Sequence, residues 1–354
     1  MNTIQRSILR ELLLAFLLGV LTFNFVLMTE KVLRLTSLLS SVGASVQDMI
    51  RIVLYLQPQV TVLTIPMSLL MAVLLVYGRM NADNEITVLR ASGMSFRAMS
   101  RPVFLLGLGC FAAGIAMSFY VFPASAQRLR ATVSRVMAER APYAIEEGIF
   151  NTSLKGVVVF VKEKPSADRM NGIFIYDERK KGQPTVVYAR EGVISGSDGY
   201  GISFELRDGH IHMVRGGGST ELSFSRYVLS LPTALEKPPR KYHELTPFEL
   251  LREAGSDSAD RTRILLEFHR RLSLPAVCLL LVFFGPPLAL KAGKTGRLGG
   301  ITIGLGVFAL YHGALVYSEN LVRSGALPHY VGAWAPAAGL GALALWMFRK
   351  AESR

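Results

Sequence analysis

The sequence predicts an α-helical membrane protein with six transmembrane helices in two groups of three (3+3) and an extracytoplasmic antiparallel β-domain, an open jelly roll, inserted between the groups. Three observations carry that prediction. Of 354 residues, 51% are hydrophobic and only 18% are charged, against ~25% charged in soluble domains, and the mean hydropathy is positive, at +0.35. The apolar residues gather into six blocks, each near the ~20 residues that a spanning helix needs. Between the third and fourth blocks, roughly 150 residues hold no such block and turn to strand patterning. This composition is too apolar for a disordered chain. Cys110 and Cys278 each sit in an apolar run, which reads as buried packing and not as a disulfide framework.

The first span runs from about Glu11 to Met28, its many Leu, Val and Phe residues outweighing Asn24. Arg6 and Arg10 resemble the basic start of a signal peptide. The apolar core is too long for one, however, and Thr29-Glu30-Lys31-Val32-Leu33-Arg34 offers no small-residue cleavage site, so the segment reads as a retained anchor. The second span, about Ile52 to Tyr77, contains Gln57, Pro58, Gln59 and Pro66, and the third runs from about Val103 to Phe122. Between them, Asn81, Asp83 or Asn84 can cap a short helix, Gly93 suits its left-handed C-terminal position, and Ser95 can cap the next helix. These elements make a first domain over 1–123.

The central domain, 124–271 with its linkers, begins its strand patterning at Gly156-Val157-Val158-Val159-Phe160-Val161, followed by Gly172 to Tyr176 and Thr185 to Tyr188. Ile202 to Leu206 alternates with period two. Asp208-Gly209 then reads as a hairpin turn into His210 to Val214, since Gly permits positive φ. A further strand runs from about Thr220 to Leu229, and Pro232 to Ser258 reads as a return linker with a short helix. The last domain, 272–354, holds spans at about Leu272 to Leu290, Ile301 to Tyr317 and Tyr330 to Phe348.

Lys and Arg in the short loops set orientation. With the N-terminus inside, Arg6, Arg10, Arg79, Arg90, Arg97, Arg101, Lys291, Lys294, Arg297, Arg349, Lys350 and Arg354 are cytoplasmic, whereas the short outer segments hold Lys31, Arg34, Arg51 and Arg323. Both termini are then cytoplasmic and the β-domain lies outside. The Arg-rich flanks of the long domain would even the count, but long domains translocate largely regardless of charge.

Enzyme chemistry is absent from the pattern. Gly293-Lys294-Thr295 resembles the end of a phosphate-binding loop, but Leu288 stands where that motif needs Gly. His210 and His212 share a strand face without a third ligand at useful spacing, and read as solvated residues, not a metal pair. No cofactor is expected, and the net charge of +13 reads as loop anchoring and lipid contact without a nucleic-acid motif.

Three features remain as functional candidates. Glu85 opens the short cytoplasmic helix, with Ile86 and Leu89 on one face. Arg90, five residues on, cannot pair with Glu85 within the helix, which leaves the carboxylate available to a partner. Lys31 and Arg34 lie one turn apart just beyond the outer end of the first span. They suit either headgroup snorkelling or an anionic membrane-embedded substrate. His312 and Glu319 are ionisable groups in or near the fifth span. A proton-coupled transporter would want carboxylates at span centres, and none is there. A ligand-binding sensor or scaffold would want a cytoplasmic output domain, and the inner loops are short.

The order of four motifs resembles the LptF/LptG family of lipopolysaccharide-export permeases over essentially the whole chain. These are Asn84-Glu85-Ile86-Thr87-Val88-Leu89-Arg90-Ala91-Ser92-Gly93, Phe268-His269-Arg270-Arg271-Leu272-Ser273-Leu274-Pro275, Gly285-Pro286-Pro287-Leu288 and Trp334-Ala335-Pro336. The Glu-Ile-Thr form leans toward the F-like branch. The resemblance implies a permease subunit in the bacterial inner membrane, paired with a second LptF/LptG-type permease and two copies of a cytoplasmic LptB-type ATPase. ATP hydrolysis on that partner would extract lipopolysaccharide and pass it to an LptC-type periplasmic bridge protein. It further implies that Glu85, Ile86, Leu89 and Arg90 couple to the ATPase and that Lys31 and Arg34 meet the substrate's phosphates.

Overall fold

The structure, a computed structural model, describes residues 3–40, 45–140, 147–154, 156–166, 168–179, 184–197, 201–215, 218–232, 242–255, 260–292 and 296–352. Gly293-Lys294-Thr295 and much of the return linker (233–241 and 256–259) lie outside the described residues, as do the side chains of Arg34 and Arg297.

The chain is a helical membrane protein with an inserted β-domain. In order, the helices are α1 (Thr3–Ser40), α2 (Val46–Ala82), α3 (Glu85–Ala91), α4 (Phe96–Ala116) and α5 (Phe122–Arg140), with a π-helical segment, Met117–Val121, joining the last two. Six strands follow: β1 (Phe150–Leu154), β2 (Val157–Glu163), β3 (Arg169–Asp177), β4 (Thr185–Ser197), β5 (Gly201–Arg215) and β6 (Gly218–Pro232). A 3-10 turn, Tyr242–Glu244, then leads to α6 (Pro247–Gly255), α7 (Arg261–Ala292), α8 (Gly296–Arg323) and α9 (His329–Glu352). Among the described residues six helices are long and apolar enough to cross a membrane, at the places the apolar blocks predicted. Several overrun the hydrocarbon: 38 residues of α1 extend about 57 Å at 1.5 Å per residue, against a core of about 30 Å.

The chain forms two compact units, Met1–Lys31 with Tyr55–Gln127 and Tyr242–Arg354, and Val32–Leu54 with Arg128–Lys241. In the helical unit α7 is the hub and packs against α4, α6, α8 and α9. Its core joins Leu69, Leu70, Val73, Leu74 and Tyr77 of α2 to Leu106 and Cys110 of α4 and Val277, Cys278 and Leu281 of α7. The two cysteines are free and buried. A Cβ on Gly107 would come within 2.1 Å of Val282, so the absence of a side chain there lets α4 and α7 approach closely. Polar residues inside the first two spans pair across them. Asn24 Nδ2 donates to Thr64 Oγ1 at 2.8 Å, and Gln57 Nε2 donates to Asn24 Oδ1 at 2.9 Å.

The β-unit carries one antiparallel sheet in sequential order β1 to β6. Alternate residues, Val157, Val159 and Val161 on β2 and Ile173 and Ile175 on β3, are buried on one face with Val187, Ala189, Phe204 and Leu206, as period-two patterning dictates. One expectation is overturned. Asp208-Gly209 is not a hairpin turn: β5 runs through it in unbroken register, Ala189 opposite Gly209 on one side and Gly209 opposite Phe224 on the other. Asp208 has φ 49°. A Cβ on Gly209 would lie 2.2 Å from the Tyr188 carbonyl oxygen and 2.5 Å from the Phe224 ring. The glycine therefore serves close approach inside a strand. The helix of the third span runs on as α5, whose residues from Arg128 belong to the compact unit that holds the strands.

Candidate functional site

The helical unit has two polar ends. At the end that holds the chain termini, α3 sits between α2 and α4. Asn84 occupies its N-cap position at φ 57° with no side-chain capping bond. The other two candidate caps are used differently: Asn81 Nδ2 donates to the Leu290 carbonyl on α7 at 3.1 Å, and Asp83 faces Arg79 at 3.3 Å. At the C-terminus the expectation holds. Gly93 is left-handed at φ 86°, its N–H donates to the Arg90 carbonyl at 3.0 Å, and the Met94 N–H donates to the Leu89 carbonyl at 3.1 Å, a Schellman pair. Ser95 Oγ then accepts from the Ala98 N–H and caps α4.

Ile86 is 4% exposed and Leu89 packs beside it, both in the chain's own helical core. The outward face is Thr87, Val88 (66% exposed) and Arg90. Glu85 has a partner that the sequence reading missed: Arg79 Nη1 donates to Glu85 Oε1 at 2.6 Å. Through Nη2 the same guanidinium donates to Glu11 Oε2 on α1 at 2.7 Å. Three carboxylates, Glu11, Asp83 and Glu85, thus meet one guanidinium, whose planar fork suits two bonds at once. No partner lies within the helix of Glu85; the arginine that pairs with it stands on the preceding span.

At the opposite end, from which the β-strands are inserted in sequence, a cavity of about 140 Å³ is lined by Gln59, Ser118, Phe122, His243, Glu267 and Arg270, among others. Arg271, also on its wall, is 2% exposed and held on every side. It donates to the carbonyls of Leu245 (2.6 Å) and Tyr242 (3.0 Å) and to Glu267 (3.2 Å), and lies over the Phe122 ring at 5.6 Å. Arg270 pairs with Glu319 of α8 at 3.2 Å. Glu319 therefore acquires a place, as the buried acid that ties α8 to α7. Ser118, in the π-helical segment, brings an irregular turn to the cavity wall, a common site for such turns. Lys31 Nζ approaches Gln59 Oε1 at 3.5 Å, which sets the lysine beside this cavity. The Arg34 side chain lies outside the described residues. His312 belongs to neither end; it stacks on Phe308 at 5.9 Å, and its buried Nδ1 has no hydrogen-bond partner among the described residues.

His210 and His212 are exposed on β5, and His210 shares a 3.1 Å hydrogen bond with Ser223. Among the described residues no group of three His, Cys, Asp or Glu side chains could hold a metal ion.

Comparison with known proteins adds an independent line. The family described as lipopolysaccharide export system permease LptF/LptG matches residues 6–350. An uncharacterized protein of Rickettsia prowazekii is 26% identical over 218 residues, covering 61% of this chain and 60% of that protein. The lipopolysaccharide export system permease protein LptF of Escherichia coli is 24% identical over 154 residues, 43% of this chain and 40% of that protein, and LptF of Shigella flexneri matches equally. The alignments thus span less than two thirds of these curated relatives.

Proposed function

The chain belongs to the LptF/LptG family of lipopolysaccharide export permeases, and from that premise we propose that it is an LptF-like permease subunit of an ABC exporter in the bacterial inner membrane. It extracts lipopolysaccharide and passes it through its periplasmic β-domain to an LptC-type bridge. Energy comes from two copies of an LptB-type ATPase on the cytoplasmic side, where both chain termini lie, and a second LptF/LptG-type permease completes the pair. The observation that carries the reading is the short capped helix α3, with Ile86 anchored in the chain's own core and Val88 turned outward between two spans. A permease without a phosphate-binding loop needs such a lever.

On this reading Ile86 and Leu89 couple by fastening α3 to the spans. Thr87, Val88 and Arg90, with the half-exposed Glu85 (42%), form the surface that meets the ATPase. Lys31 and Arg34 suit a phosphorylated headgroup, because a lipid anion needs an apolar bed with a basic rim.

The test is gentle purification of the tagged chain from its own membranes. A stoichiometric ABC-type ATPase and a second six-span permease are expected. Recovery of the chain alone, or as a homo-oligomer with no ATPase, overturns the reading. Glu85→Arg should abolish surface lipopolysaccharide delivery while leaving the protein inserted. Normal delivery by that variant removes Glu85 from the coupling surface.

A further inference from the structure

Arg79 joins three elements that sequence does not place together: the end of α2, the first residue of α3 and, 68 residues away, Glu11 of α1. We propose that Arg79 is a positioning residue, a charged clasp that carries movement of α3 directly into the first span. The proposal rests on the exporter reading, since it presumes that an ATPase moves α3.

The geometry gives three reasons. First, the two bonds use opposite arms of one guanidinium, Nη1 at 2.6 Å to Glu85 and Nη2 at 2.7 Å to Glu11. The group is planar and rigid, so displacing one carboxylate turns the other arm. Second, α1 is packed lightly along its apolar stretch. Only 17% of its apolar window is buried, against 72% for α2, so a single directed contact at its end has leverage that it would lack on a packed helix. Third, the far part of the same helix carries Lys31, beside Gln59 at the cavity. A rigid helix that is pulled near Glu11 moves its other end. The route from α3 to the cavity then runs through one guanidinium and one helix, and bypasses the packed core of α2, α4 and α7.

Partly exposed ion pairs contribute little to stability, and Arg79 and Glu11 are 28% and 43% exposed. Breaking the Glu11 arm should therefore leave folding intact and show itself only in coupling. The experiment uses the whole complex from its own membranes, reconstituted in vesicles with lipopolysaccharide, and compares wild type with Glu11→Gln, Glu11→Asp and Glu85→Gln and with the Glu11→Gln/Glu85→Gln double variant. Two quantities are read, ATP hydrolysed and lipid released per ATP.

Glu11→Gln should keep hydrolysis within about twofold and lower the lipid released per ATP about tenfold, while Glu11→Asp, which keeps the charge, recovers most of it. The double variant should be no worse than the poorer single, because both break one chain of contacts. An unchanged ratio in Glu11→Gln overturns the clasp. So does an equal fall in hydrolysis and release, or a double variant whose loss is the product of the singles. Wild-type chain that binds no ATPase overturns the exporter reading, a result distinct from a coupled wild type with an unaffected Glu11→Gln.

Discussion

The two N-terminal spans are equally apolar and lead opposite lives. The most apolar stretches of α1 and α2 have the same mean hydropathy, yet 17% of the first stretch and 72% of the second is buried within the chain. Leu14, Leu17, Leu18, Leu21 and Phe25 of α1 are more than half exposed, whereas Leu69, Leu70, Val73 and Leu74 of α2 are enclosed. Hydropathy reports that a helix tolerates lipid; it does not report which neighbours it has. Within a membrane, apolar surface alone gives helices no reason to associate, and packing and polar contacts decide. α2 offers Gln57, Thr61 and Thr64 along its length, and Asn24 of α1 answers all three.

This contrast can be broken or sharpened by substitution. The largest effect is expected on the packed side, at Arg271. Arg271→Met leaves the Leu245 and Tyr242 carbonyls and Glu267 without their donor and should cost about 3–5 kcal/mol, read as lost thermal stability in detergent. Next comes the paired comparison itself. Leu70→Ala on α2 should cost about 2–5 kcal/mol, and Leu18→Ala on α1 less than about 0.5 kcal/mol, measured in the same unfolding assay. Equal losses would mean that a partner covers α1 in the sample. Asn24→Leu removes the hydrogen bonds that Asn24 makes with Gln57 and Thr64 between the spans and should cost about 0.6–1.7 kcal/mol. Urea or thermal midpoints equal to wild type would show that Gln57 and Thr64 find other partners.

The smallest effect lies in the β-unit. The side-chain bond from Arg207, aided by Arg226, holds the Glu205 carboxyl below the usual carboxylate range. A lowered native pKa gives stability that is present above the unfolded pKa and lost as pH falls through the native one. On this partly exposed strand face, with both arginines more than half exposed, the effect should be visible in an NMR titration and not in the unfolding midpoint. Arg207→Ala should return the carboxyl toward its ordinary value.

Local signals were legible and distant pairings were not. The six spans, the left-handed Gly93, the Ser95 cap and the valine-rich β2 follow from composition and neighbours within a few residues. Asp208-Gly209 misled because the dipeptide serves both hairpin turns and close backbone approach, and only the Tyr188 carbonyl and the Phe224 ring of the flanking strands decide between them. Residues 124–140 are too polar to read as a span, yet nothing in them breaks the helix. At the candidate site, Glu85 was legible as exposed and acidic. Its partner Arg79 is six residues back on another element, and Glu11 completes the chain from 68 residues away. Arg270 and Arg271 stood in a recognised motif. Glu267, one turn before Arg271 on the same helix, was within local reach, whereas Glu319 lies on α8 and only folding brings it to Arg270.

The π-helical segment Met117–Val121 has a consequence for how the third span is keyed. A wide turn of this kind holds one residue more than an α-turn needs, and each residue turns the helix by about 100°. The stretch before it is thereby set at one azimuth, with Gly107 against Val282. The stretch after it is set at another, with Phe122 beneath the Arg271 guanidinium. Deleting a single residue between Met117 and Val121 would leave a regular, unbroken helix and spoil this arrangement, rotating Phe122 off its cation while Gly107 kept its place. The segment works as a phase shifter: one rod meets two places on α7 at two different clock positions.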